Sequence, residues 1–529
     1  MKKTAKILSL LLILALLLAS AVGCTPEAGE TPISTEAGTT DAAVTDTGTA
    51  TEAGTTADTL TVASTYEIDD LNPFTNQQSA YLAMIVNNCL ETLIYFSADM
   101  EYEPGLASDY TVSDDGLTYT FALREGVTYH NGEPFTSADV KYTFDYIMDE
   151  ANGAYRGAYF TTVASIECPD EYTVVFTLSS TTPAFLDAVT QIPIISESQD
   201  PATYSTSLNG TGAFQFVSYT ASDNITFEQF AGYRDAANVK LGGYVIKFFA
   251  DQTTELTSLQ AGDVDLVYEL TGENAGTVAA DSSLKVVQSA SSTSTYLFEI
   301  GLHKVEAFRD PNVLKAMFMV LDTESIAESV FYGYASTSYS PLCTSAKYYV
   351  KSDDIAYDVE AAKALLETTD YADGFEFTMD TLSGTYESIA VIWKQALTQL
   401  GITMNIEVED VSVWLENYLN KDYDMISNSY SMAGSDPAIM MSQIIAAQFD
   451  YQCSEDIIPG LQELISEGAS TAGDTQRAGI YGDIQEQLLQ YMPVYTYLCI
   501  DNLYAAVSNL EGVAFDGMAH FNFTYAYFA

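Results

Sequence analysis

Residues 117–142 read LTYTFALREGVTYHNGEPFTSADVKY, and this stretch decides the fold class. Asp114-Asp115-Gly116 just before it is a turn signal. Leu117, Tyr119, Phe121 and Leu123 then alternate with Thr118, Thr120 and Ala122, which predicts a half-buried strand. Asn131-Gly132-Glu133-Pro134 turns the chain again. Thr136 offers a hydroxyl cap, with Asp139 three residues later, ahead of Val140, Tyr142, Phe144 and Met148 at helical spacing. That is a helix start of the capping-box kind. A strand, a turn and a helix within so short a span point to an α/β protein.

The same alternation runs outward in both directions. Strands are predicted at 60–64, 172–178, 225–230, 244–249 and 265–268, with 210–217 turning into another. Helices are predicted at 79–94 and at 253–261, the latter closed by Gly262. Farther on, helices are expected at 310–320, 359–367 behind the cap Asp358, 388–400 stopped by Gly401, 411–419 and 477–492. Strands are expected at 375–379, 402–408, 423–426 and 494–498. Helices and strands alternate throughout, the pattern of sheets packed with helices. About 470 residues are too many for one hydrophobic core, so two or three lobes are expected.

The amino terminus carries an address. Lys2, Lys3 and Lys6 precede an apolar run from Ile7 to Leu18, and Ala19-Ser20-Ala21-Val22-Gly23 leads to Cys24. This reads as a secretory signal, residues 1–23. Cys24 after Gly23 resembles the lipobox of bacterial lipoproteins, with Ala21 standing where Leu is usual. That resemblance implies cleavage before Cys24 and a lipid on its thiol; the alternative is ordinary secretion with an incidental cysteine. Residues 24–59 are mostly Thr, Ala, Gly, Glu and Asp without an aromatic side chain, and Thr-Glu-Ala-Gly-Thr-Thr occurs at 35–40 and again at 51–56. Such a segment buries too little apolar surface to order itself, and reads as an acidic tether.

Composition narrows the function. The 19 Lys+Arg against 73 Asp+Glu give −54, a charge that repels nucleic acid. Beyond Cys24, the cysteines Cys89, Cys168, Cys343, Cys453 and Cys499 are widely spaced and form no CxxC, so no zinc or redox motif is expected. His130, His303 and His520 are scattered, and no HExxH, GxSxG or SxxK occurs. No catalytic residues, cofactor or metal are expected. The 37 Tyr against 2 Trp suit a binding cleft, since phenols give apolar area and a hydroxyl at low entropic cost.

The block at 117–142 closely resembles the signature of the family 5 extracellular solute-binding proteins, the oligopeptide, dipeptide and nickel receptors of ABC importers. Asp70-Leu-Asn-Pro73, Gly210-Thr-Gly-Ala-Phe214, Leu259-Gln-Ala-Gly-Asp-Val-Asp265 and the stretches 313–327, 357–366 and 477–493 agree with it. The resemblance spans residues 60–529. It implies a two-lobed periplasmic-binding-protein-like fold (class II) with an extra α/β subdomain inserted in lobe one. Lobe one would be 60–97, 205–299 and 502–529, the insertion 98–204 and lobe two 300–501, with hinge strands near 296–301 and 497–502. The implied function is capture of a solute, a peptide in the first instance, and its delivery to ABC permease transmembrane subunits by a lipid-anchored monomer outside the cell membrane, as in Gram-positive members of the family.

In peptide-binding members an Asp three residues after a Trp holds the peptide's amino group. Here Tyr430 falls on the Trp and Ala433 on the Asp, while Asp436-Pro437 matches the acidic-Pro pair that follows. A buried ammonium needs a carboxylate. Either Asp436 or Glu67 substitutes, or the ligand is an oligosaccharide or another non-peptide solute. No arginine lies in 381–389 to clamp a short peptide's carboxylate. Tyr430, Ser431, Ala433 and Asp436 are expected to line the cleft from lobe two, and Tyr66 and Glu67 from lobe one. A secreted cell-surface hydrolase is the alternative of another class.

Overall fold

The computed structural model describes residues 58–289, 292, 294–338, 340–352, 355–432, 434–441 and 455–529. Cys24, the signal, nearly all of the tether, Ala433 and Cys453 lie outside them. Three main sheets organise the unit Thr56–Ala529.

The first sheet has seven strands. Leu284–Gln288, Leu503–Val507, Leu266–Val267, Thr59–Ser64, Gly243–Phe248, Asn224–Gln229 and Phe214–Thr220 follow one another across it. Thr59–Ser64 sits centrally and runs parallel to both neighbours. Its Leu60, Val62 and Ala63 are wholly buried, which is why an apolar strand occupies that place. The directions of the strands put the loop after Ser64, the turn at 221–223, the segment after Val267 and the end of Leu284–Gln288 on one edge.

The second sheet has six strands, ordered Ala335–Thr337, Val494–Ile500, Ser294–Ile300, Met425–Ser431, Glu376–Leu382, Thr403–Glu409. Phe298, Phe318, Trp393, Tyr495 and Tyr497 stack in its core; the Phe298 and Trp393 rings lie 4.8 Å apart at 15°. Trp393 satisfies its indole N–H on the Met317 carbonyl at 3.0 Å. The ends at Ser294, Ile500, Ser431, Leu382 and Glu409 share one edge. The chain passes from the first sheet to the second at 289–293 and back at 501–502. The two edges named above therefore face each other.

The third sheet, Ala107–Val112, Thr118–Leu123, Thr173–Leu178 and Val163–Asp170, is antiparallel. Tyr119, Phe121 and Leu123 point inward as the alternation predicts. The helix Ser137–Met148 begins at Thr136 with both halves of the capping box made, through Ala138 and Asp139.

Two expectations are corrected. The helix expected at 79–94 ends at Met84, and Asn87 takes a φ of 71°. Beside it Asn88 donates to the carbonyls of Met84 and Phe521 and accepts from the Phe523 amide, so contacts to the carboxyl-terminal segment replace the helical ladder. The first hinge strand, expected near 296–301, is displaced, while the second, expected near 497–502, includes the crossing at 501–502. Ser294–Ile300 and Val494–Ile500 pair with each other inside the second sheet, so residues 294–299 belong with that sheet and the crossings lie outside it. Ser289 N–H bonds Asn502 O at 3.1 Å, which ties the two crossings together.

Candidate functional site

Two tyrosine walls meet where the sheet edges face. On the first, Tyr66 follows the central strand and is 48% exposed. Its ring lies edge-on to Tyr268 at 6.2 Å, and the Glu269 carboxylate raises both phenols. Surrounding protein and Glu269 push the Tyr66 phenol well above its usual range, although the side chain is open to solvent. Exposed groups that are still desolvated by their surroundings mark a concavity. On the second wall Tyr296 stacks on Tyr386 at 4.8 Å, and Tyr386 bonds Ser429. Ser294 and Ser431 join their hydroxyls at 3.0 Å. The Tyr296 phenol is raised by burial, by Tyr386 and also by Tyr66, which places the two walls within electrostatic reach.

The expected acids are held by groups of the protein itself. Glu67 accepts from the Ser222 amide at 2.6 Å and the Ser222 hydroxyl at 3.1 Å, holding the turn at 221–223. Asp436 is buried in a two-pronged pair with Arg477, both bonds 2.6 Å long, and its Oδ1 also caps the helix Pro437–Met440 through the Ala438 amide. The space beside it, between Leu342, Met432, Gly434 and Met440, amounts to about 10 Å³. Asp436, expected as an amine anchor, thus serves in this structure as helix cap and ion-pair partner. Tyr430 is half-buried against the cluster of Leu297, Met432 and Ile439, near Tyr159 of the short helix Tyr155–Phe160.

A further acid joins the inserted subdomain to this loop. Asp187, from the helix Phe185–Thr190, accepts from the Asp436 amide at 2.7 Å, the Ser435 hydroxyl at 3.3 Å and the Tyr102 hydroxyl. It is fully buried without a cation among these partners.

Residues 101–450 match the model of the bacterial extracellular solute-binding proteins, family 5 (middle region). The chain belongs to this family. It is 28% identical over 333 residues to the glutathione-binding protein GsiB of Pectobacterium atrosepticum, covering 62% of this chain and 64% of that one. The family 5 protein thus spans less than two thirds of the length of the curated relatives it matches. Its fold is that of the ABC transporter substrate-binding protein CtaP of Listeria monocytogenes, with TM-score 0.81, 24% identity and coverage of 89% and 99%. It is also that of the periplasmic binding protein DppA of Helicobacter pylori in complex with the peptide STSA, with TM-score 0.72, 21% identity and coverage of 89% and 98%.

Two other places in the family 5 protein are weaker candidates. A cavity of about 640 Å³ opens between residues 87–105 and 514–525. Several of its polar groups already have partners: Glu91 with Arg234, Asp516 with His520, Arg124 with the Gly105 carbonyl. Asp380, Glu407 and Glu409 bring carboxylates within 4.8 Å of one another at the edge of the second sheet. Burial and its acidic neighbours push Asp380 up to about 7, so a proton serves there as counter-ion.

Burial first, and then the Asp436 charge, push Asp187 up to about 6. The folded protein keeps that proton up to about pH 6, whereas the unfolded chain loses it near pH 4. Stability from this group therefore falls as pH rises between these values and is level above them. Asp187→Asn keeps an acceptor for the Asp436 amide without the charge. Urea denaturation from pH 4 to 7 is expected to show wild type losing about 2–3 kcal/mol relative to Asp187→Asn. Parallel curves would show that Asp187 titrates as an ordinary carboxyl.

Proposed function

We propose that this family 5 protein is the receptor of an ABC importer, which takes a peptide between the first and second sheets and delivers it to membrane permease subunits. The opposed tyrosine walls at the chain's two crossings carry this reading. A site there changes shape when the sheets move about 289–293 and 501–502, so ligand binding and closure are one event. On this reading lobe one comprises the first sheet with the inserted subdomain 98–204, and lobe two the second sheet. The names of two relatives support a peptide, since one binds glutathione and another was solved with STSA. The tyrosines also favour a second reading, an oligosaccharide stacked on their rings.

The protein works outside the cell membrane as a monomer, held there by a lipid on Cys24 behind the acidic tether. No helix among the described residues is long and apolar enough to cross a membrane. The reading needs no cofactor and no catalytic group, and it sets aside the secreted hydrolase.

Scattering and calorimetry test it together. A tripeptide pool is expected to bind without being consumed and to lower the radius of gyration. Turnover of the peptides would point back to the hydrolase. Tight binding of an oligosaccharide pool alone would favour the second reading.

A further inference from the structure

The floor of the lobe-one wall is chemically unfinished. Glu255 lies in the first turn of the helix Gln252–Ala261, which follows the strand Gly243–Phe248 at its cleft end. Its side chain is 0% exposed, and neither carboxylate oxygen has a hydrogen-bond partner. Glu269 is exposed, on a left-handed backbone with φ of 62° just after Leu266–Val267. The Tyr66 and Tyr268 phenols lie close enough to act on its carboxylate. The charged groups that act on Glu255 are Glu269 and Asp251, both acidic, and Tyr66 feels Glu255 and Glu269 in turn. Neither glutamate has a lysine or arginine acting on it.

Burying a carboxylate without a partner costs several kcal/mol. Here one lies within electrostatic reach of a second and of the Tyr66 phenol. Ring faces and carboxylates together attract a cation more strongly than either alone.

We propose that Glu269, backed by Glu255 and flanked by Tyr66 and Tyr268, receives a cationic group of the ligand, a primary ammonium or a guanidinium. The proposal rests on the receptor reading above. It gives lobe one the amine-binding role expected of Asp436, which here pairs with Arg477. Burial, Glu269 and Asp251 push Glu255 up to about 8, so in the free protein its second negative charge is masked by a proton. A cation arriving at Glu269 favours the ionised form of Glu255 and releases that proton to solvent.

The test uses the full chain with three probes: trialanine, the neutral N-acetyl-trialanine amide, and spermidine. Trialanine is expected to bind, with proton release seen as a dependence of the binding heat on buffer ionisation. Glu269→Gln should weaken trialanine about ten- to a hundredfold, in line with a lost charge-assisted hydrogen bond. Glu255→Gln should abolish the proton release and raise the melting temperature at pH 8, where the wild type begins to bury a charge. If Glu255→Gln fails to fold, Glu269→Gln still decides, because its side chain is exposed. Equal binding of trialanine and the neutral amide, unchanged in Glu269→Gln, would overturn the cation site and leave the receptor reading standing. Spermidine bound through Glu269, with both tripeptides ignored, would support the site and overturn the peptide reading. No binding of any probe would overturn the cation site and the peptide reading, and leave the oligosaccharide reading standing.

Discussion

Arg477→Ala is expected to cost about 3–5 kcal/mol of stability, the range for breaking a buried ion pair from one side. The two side chains are only 3% and 4% exposed, and the guanidinium makes four hydrogen bonds, one of them to the Tyr348 hydroxyl at 3.4 Å. Two of its nitrogens hold Asp436, and Nε holds the Gly468 carbonyl at 2.9 Å. The Tyr348 and Tyr481 rings lie 5.4 and 5.3 Å from it. Without the guanidinium, Asp436 would remain buried and charged close to Asp187, a second buried acid that already accepts its amide. Urea denaturation of Arg477→Ala should show the loss. The double variant Arg477→Ala with Asp436→Ala should recover part of it, since no lone charge then stays behind. A single variant as stable as wild type would mean that the pair is solvated in solution. The same logic tells how to read a binding defect in Asp436→Ala: it should come with a lowered melting temperature, as an amine anchor's loss would not.

What could be read in the sequence was what short-range chemistry controls. The strand Thr118–Leu123 is legible because alternation is local, and the start of Ser137–Met148 because a capping box needs only Thr136 and Asp139. The helix expected at 79–94 failed for the opposite reason. Its end is set by Asn88 bonding to Phe521 and Phe523, more than 400 residues away. The first hinge strand was misplaced because the apolar pattern of Ser294–Ile300 says that it is a strand but not which sheet it joins. Asp436-Pro437 matched a family pattern, yet its carboxylate belongs to Arg477, and nothing local to either residue announces the other. Tyr66 was expected at the cleft as part of the loop after the first strand, two residues beyond Ser64. Glu255 and Glu269 were not, since among 73 acidic residues no local pattern tells a buried carboxylate from a solvated one. A turn after a short strand ending in Val267-Tyr268-Glu269 was the available signal.

Gly434→Val is expected to hold the lobes apart. A Cβ at Gly434 would lie 2.5 Å from Oδ2 of Asp187 and 3.1 Å from its Cβ. Asp187 cannot swing aside, because Tyr102, Ser435 and the Asp436 amide fix it in a fully buried place. The cheaper relief is to draw the inserted subdomain away from the loop, which costs the three hydrogen bonds rather than the fold of either part. If ligand is held by closure, the variant must work against its own contacts to close. A penalty of about 3 kcal/mol in the closed state corresponds to a roughly hundredfold loss of affinity. Calorimetry should show that loss, and scattering at saturating ligand should show the radius of gyration of the free protein. Adding Asp187→Ala to Gly434→Val removes the colliding carboxylate, and should restore part of both the affinity and the compaction. Unchanged affinity and compaction in Gly434→Val alone would show that the lobes capture ligand without bringing Asp187 onto this loop.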